Sequence, residues 1–89
     1  MVEHVLEIVN QKGLHARASA KFVEVVEQFD ARATVSRDGI DASGDSIMAL
    51  LMLGAAKGSH ISLSCEGAQA AELAHALQAL VADRFGEDS

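Results

Sequence analysis

The chain has 89 residues, 49% of them hydrophobic, a formal net charge of −6, one cysteine and neither Trp nor Tyr. This length predicts one domain over residues 1–89 with a single core, and the acidic charge without stacking aromatics disfavours a nucleic-acid binder. Cys65 has no partner for an internal disulfide, no apolar run approaches the roughly 20 residues that span a bilayer, and no signal-like N-terminal segment is visible. We therefore expect a cytoplasmic monomer that does not insert into membranes.

The first part of the chain predicts a strand followed by a helix. Residues 2–10 alternate and are rich in β-branched side chains, which favours a strand with one buried face. A polar connector leads to residues 16–29, where Phe22, Val26 and Phe29 recur at three- and four-residue spacing. We expect this helical stripe to face the sheet.

A hairpin and a short helix are predicted next. Residues 32–37 alternate, Asp38 and Gly39 tolerate the positive φ values of a type I′ turn, and residues 40–43 form the return strand. Asp45 and Ser46 offer capping side chains for a helix over residues 47–53, which Gly54 ends.

The last part of the chain predicts a strand, a helix and a tail. Ile61, Leu63 and Cys65 alternate with polar residues over positions 60–65, so Cys65 is expected in the core. Leucines and alanines at helical spacing predict a helix from 69 to about 84. Residues 86–89 are polar, and we expect them to be frayed.

The element order is therefore β-α-β-β-α-β-α. Strands with one polar face, separated by helices, predict an α+β fold: an open-faced two-layer sandwich with a four-stranded antiparallel sheet and three helices on one face. Spacing alone does not determine the order of the strands.

Residues 13–17 read Gly-Leu-His-Ala-Arg and combine the features of an anion site. A helix that begins just after His15 places the imidazole beside the unpaired N–H groups of Ala16, Arg17 and Ala18. Arg17 can add a charge-assisted contact to a phosphate oxygen. A histidine in this position is more often an ordinary surface or capping residue, so a phosphoryl site and a plain helix cap both remain open.

The motif at 13–17 resembles the active site of the histidine-containing phosphocarrier proteins (HPr) of the bacterial phosphoenolpyruvate-dependent phosphotransferase system. A second signature is similar as well: Ser46-Ile47-Met48, then Leu-Leu-Met-Leu-Gly at 50–54 and Ala-Lys-Gly at 56–58. The resemblance implies a sheet order of 1-4-2-3. It also implies that enzyme I phosphorylates His15 on Nδ1 with help from Arg17, and that the group passes to a histidine of an enzyme IIA protein. Such a carrier has no turnover reaction of its own and needs no cofactor.

The resemblance adds a regulatory site, a docking surface and one departure. It implies phosphorylation of Ser46 by an HPr kinase/phosphorylase, with helix capping as the simpler role of this serine. It also implies that partners dock on Ala16, Arg17, Ala20, Ile47, Met48 and Leu51, although the last three of these side chains can instead all pack inward. Family members usually have proline where this chain has Ala18.

Residues 49–53 look closest to the nitrogen-regulatory branch of the family, which favours a regulatory phosphorelay over sugar uptake without excluding the latter. His4, His60 and His75 lack the spacing of a metal site, and no metal is expected. The alternative function is a non-catalytic α+β binding or adaptor module in which His15 only caps a helix.

Overall fold

Four strands and three helices follow one another in the computed structural model, which describes residues 1–89. They are β1 (Val2–Glu7), α1 (Ala16–Val26), β2 (Arg32–Arg37), β3 (Ile40–Ser43), α2 (Ile47–Met52), β4 (His60–Glu66) and α3 (Ala70–Ala82), followed by a 3₁₀ turn at Arg84–Gly86. The predicted element order is confirmed.

The four strands form one antiparallel sheet in the order β1-β4-β2-β3. This is the order that the family resemblance implies. In β4, Leu63 lies opposite His4 of β1 and Val35 of β2, so β4 is hydrogen-bonded on both sides. The sheet therefore has β1 and β3 as its edges.

The core lies between one face of the sheet and the helices. Val35, Ile61 and Leu63 of the sheet are fully buried, as are Phe22 of α1 and Leu77 of α3. All 22 buried hydrophobic residues belong to one cluster. Burying apolar surface in this way is the main favourable term in folding.

Cys65 is a fully buried member of this cluster on the central strand β4, as expected from the alternation. Burial raises the pKa of its thiol. The thiol is therefore uncharged and shielded from solvent in the folded chain.

The predicted hairpin is confirmed, because Asp38 and Gly39 both have positive φ values of 52° and 81°. The prediction for the first helix is too long, because α1 ends at Val26. After the C-cap residue Glu27, the N–H groups bond three residues back instead of four, from Gln28 to Val25 O and from Phe29 to Val26 O. Phe29 still packs against the core from this turn, which explains its place in the apolar stripe.

None of the helices is long and apolar enough to cross a membrane.

Candidate functional site

The loop of residues 10–15 delivers His15 to the start of α1. Gly13 has a φ of 69°, and a Cβ there would lie 2.5 Å from the carbonyl oxygen of Ala55. Only glycine fits such a close approach with a left-handed backbone. The next N–H, that of Leu14, donates to the same Ala55 oxygen at 2.9 Å. The loop is thereby fixed against the segment that follows α2.

The helix begins directly after His15, as the sequence predicts. Ser19 N–H donates to His15 O at 2.8 Å, the first bond of α1. The N–H groups of Ala16, Arg17 and Ala18 precede this bond and have no acceptor within the helix. They therefore form the anion-favouring end of the helix dipole beside the imidazole.

The His15 side chain does not cap the helix. His15 occupies the N-cap position, but its ring accepts no hydrogen bond from the helix backbone. Instead, Nε2 lies 2.5 Å from Oε2 of Glu87. His15 therefore occupies the N-cap position, but the hypothesis that its side chain caps α1 is wrong.

Glu87 joins the site, although the sequence predicts a frayed tail at residues 86–89. Its Oε1 accepts a hydrogen bond from Asn10 Nδ2 at 3.0 Å, and the side chain is only 13% exposed. Asn10 is fully buried and donates also to Gly13 O at 2.8 Å. The hydrogen bond from Asn10 is the main cause that lowers the pKa of Glu87, and His15 and Lys12 act in the same direction against burial. The prediction of a frayed tail is wrong at Glu87.

Three basic side chains line the same surface depression as Glu87. Lys12, Arg17 and Lys21, together with residues 86–89, line a shallow depression of about 300 Å³. Arg17 is exposed and forms no ion pair with a carboxylate, whereas Lys21 Nζ donates to Phe85 O at 2.6 Å. Arg17 is therefore available to an incoming anion.

Ala18 fills the position where proline is usual in the family that the motif resembles. Its side chain is fully buried, and its N–H belongs to the unpaired first turn. The chain therefore keeps one backbone donor at the helix end that a proline would remove.

Ser46 caps α2 as predicted. Its Oγ accepts a hydrogen bond from Ala49 N at 3.2 Å. The neighbouring Asp45 is exposed, and its carboxylate accepts a hydrogen bond from Ser43 Oγ at 2.5 Å. Both side chains stabilise the turn into the helix.

Side chains of α2 expose an apolar surface next to α1, against which α2 packs. Met48 is 69% exposed and Ile47 39%, while Leu51 is half-buried. The possibility that all three pack inward is therefore wrong. Sequence reasoning missed Met52, which is 76% exposed and enlarges this surface.

The other histidines lie apart from this site. His4 is on β1, His60 begins β4, and His75 is an exposed residue of α3. No three His, Cys, Asp or Glu side chains are grouped so that they could hold a metal ion. The chemistry-bearing residues that the fold brings together are thus those around His15.

Comparisons with known proteins identify relatives of this chain. Residues 2–83 match the family described as "PTS HPr component phosphorylation site". The chain is 45% identical over 87 residues to the phosphocarrier protein HPr of Neisseria meningitidis serogroup A, and 40% identical over 88 residues to the phosphocarrier protein NPr of Escherichia coli, with 98% of both chains covered in each case. The crystal structure of HPr-C-His from Thermoanaerobacter tengcongensis superimposes with a TM-score of 0.95 at 37% identity, covering 100% of both chains. The chain belongs to the HPr family of phosphocarrier proteins of the phosphotransferase system.

Proposed function

We propose that this protein, acting as a monomer, accepts a phosphoryl group on His15 from phosphorylated enzyme I and passes it to a histidine of an enzyme IIA protein. The observation that carries the proposal is the position of the imidazole beside the unpaired N–H groups that begin α1. Membership in the phosphocarrier family supports the same role. The protein is then a carrier with a covalent intermediate and no turnover reaction of its own.

The surroundings of His15 suit both states of such a carrier. A nucleophilic imidazole must be neutral, and the phosphorylated ring adds negative charge. The helix end favours that anion by about 0.3–1 kcal/mol at an exposed position. Arg17, exposed and unpaired, can add a charge-assisted hydrogen bond. This stabilisation of the bound phosphoryl group is modest, and a carrier requires that because the group must leave again.

Intact mass spectrometry tests this function. The chain is incubated with phosphoenolpyruvate and enzyme I, and we expect the mass of one phosphoryl group to be added and then lost in acid. The matched variant His15→Ala should acquire none. An absent adduct, or one that persists in His15→Ala, would contradict the proposal and favour a binding module.

The exposed apolar surface of α2 and the start of α1 form the docking surface that we assign to enzyme I and enzyme IIA. It consists of Ala16, Arg17, Ala20, Ile47, Met48 and Leu51. Methionine is flexible and polarisable, which suits a surface that must accept more than one partner. An exposed apolar patch beside a reactive side chain is typical of a protein interaction site.

Ser46 is the regulatory site that we propose for an HPr kinase/phosphorylase. A phosphate at the start of α2 adds about −1.5 to −2 charges beside the docking surface. The helix end tolerates this charge, so the effect falls on partners rather than on the fold. Incubation with such a kinase and ATP should yield an acid-stable phosphoserine that Ser46→Ala lacks; its absence from the unmodified chain would contradict the proposal.

The acceptor decides the pathway. Relatives include both an HPr and an NPr, the latter consistent with nitrogen regulation. Residues 49–53 favour a nitrogen-type enzyme IIA over a sugar-type one. Transfer from the phosphorylated chain to each purified acceptor, compared at equal concentration, measures this preference, and faster transfer to the sugar type would contradict it.

A further inference from the structure

The segment after α3 turns back over the start of α1. Arg84, Phe85 and Gly86 all have positive φ values, of 56°, 54° and 76°. Two successive non-glycine residues in this region are costly, and such a conformation persists only where the surroundings impose it. Here Phe85 is fully buried in the core and its carbonyl oxygen accepts a hydrogen bond from Lys21 Nζ at 2.6 Å. The core therefore determines where the next side chain, Glu87, is placed.

Both oxygens of Glu87 are engaged. Oε2 contacts Nε2 of His15 at 2.5 Å, and Oε1 accepts from Asn10 Nδ2 at 3.0 Å. Asn10 cannot move freely, because it is fully buried and the same nitrogen donates to Gly13 O. The buried amide of Asn10 thus fixes one oxygen of the carboxylate, and the other oxygen contacts the imidazole.

An ionised carboxylate accepts hydrogen bonds and donates none. The lowered pKa of Glu87 keeps it ionised at neutral pH. Nε2 of His15 must therefore be the donor, and a neutral imidazole with its proton on Nε2 has its lone pair on Nδ1. Nδ1 is not occupied by a helix-capping hydrogen bond.

We propose that Glu87 is a positioning residue for phosphoryl transfer: it keeps the ring proton on Nε2 and thereby presents Nδ1 of His15 as the nucleophile. This inference rests on the proposed function. In the transfer step the Nδ1 lone pair forms the N–P bond, and the bond from phosphorus to the donor breaks with its electron pair going to the donor. No proton leaves Nδ1, because none is there. The positive charge that develops on the ring is stabilised by the Glu87 carboxylate, as an aspartate stabilises the imidazolium of a catalytic triad.

Nitrogen-15 NMR of the His15 ring tests the proposal without enzyme I. In the unmodified chain at neutral pH, the neutral ring should be predominantly the Nε2–H tautomer. In Glu87→Gln, whose amide can donate as well as accept, this preference should be lost. A predominant Nδ1–H tautomer in the unmodified chain, or an unchanged tautomer ratio in Glu87→Gln, would overturn the proposal.

The rate of phosphorylation by enzyme I gives the second measurement. Glu87→Gln should be phosphorylated about 10-fold more slowly, which is the lower end of the loss seen when a metal-binding histidine loses the partner that orients its ring. The control Asp83→Asn removes one negative charge from the same end of the chain at an exposed residue and should react like the unmodified chain. Equal rates for Glu87→Gln and Asp83→Asn would refute the role of Glu87. If the unmodified chain accepts no phosphoryl group, the proposed function fails, and the NMR result still decides whether Glu87 sets the tautomer.

Discussion

Replacing Gly13 by alanine tests whether its close approach to Ala55 holds the residue 10–15 loop, and with it His15, in place. At a φ of 69° an alanine costs about 1–2 kcal/mol. Its Cβ would also lie 2.5 Å from Ala55 O and 2.9 Å from Ala56 Cα, so the backbone must move. That movement disrupts the 2.9 Å hydrogen bond from Leu14 N–H to Ala55 O, and leaving these buried groups unpaired costs about 1–3 kcal/mol. We expect Gly13→Ala to lower the free energy of unfolding by about 2–5 kcal/mol.

Gly54→Ala is the matched control. Gly54 also has a positive φ, of 61°, but a Cβ there meets nothing within 4 Å. The control should therefore lose only the conformational part, about 1–2 kcal/mol. Urea denaturation of both variants gives the two losses, and their difference measures the contact with Ala55. Equal losses would refute the conclusion that this contact fixes the loop.

Four further predictions concern the site and its neighbours. Arg17→Ala should slow phosphoryl transfer about 10–100-fold through loss of a charge-assisted bond, with an unchanged free energy of unfolding because the side chain is exposed and unpaired; unaltered transfer rates would remove Arg17 from the site. Met48→Asp should weaken binding to enzyme I by about tenfold or more in calorimetry, whereas Val5→Asp, 68% exposed on the edge strand β1, should not; similar losses in both would place the interface elsewhere. Ser46→Ala should lower the free energy of unfolding by about 1 kcal/mol and Ser46→Asn should preserve it, and a stable alanine variant would argue against the cap. Because Asn10, His15 and Lys12 lower the pKa of Glu87 below its ordinary value of 4.5, its stabilisation is present at neutral pH and lost as the pH falls through that lowered value. The difference in unfolding free energy between the unmodified chain and Glu87→Gln should thus shrink as the pH falls below 4.5 and through the lowered pKa of Glu87, and a constant difference would contradict the assignment.

Local features of the sequence account for much of the fold. The strand predicted at 32–37 and the turn at Asp38 and Gly39 lie where expected, because alternation and positive φ are properties of a few neighbouring residues. The same holds for the Ser46 cap and for the start of α1 after His15. Strand order came from the resemblance, because pairing depends on contacts between segments far apart in the chain.

Neither Glu87 nor Asn10 could be assigned to the site from the sequence. Glu87 contacts His15 across a separation of 72 residues and Asn10 across 77, and no periodicity near the C-terminal end indicates such contacts. The fully buried Phe85 is the physical reason that this segment is ordered. The one sequence feature available to indicate an ordered segment here was Phe85, an aromatic residue just after an amphipathic helix. Likewise, the sequence did not single out Met52, because α2 is apolar nearly all round, and only the packing of α2 on α1 reveals its exposed side.

The burial of Cys65 on the central strand makes the thiol a built-in reporter of sheet opening. Its neighbours β1 and β2 must separate, or the helices must lift, before a solvent reagent can reach the sulfur. Since the chain has one cysteine, any modification reports on this strand alone. The rate of thiol labelling under native conditions then measures how often the sheet opens, in the same way as hydrogen exchange at a core amide. Comparing the labelling rate before and after phosphorylation of the chain tells whether phosphorylation changes how often the sheet opens around Cys65.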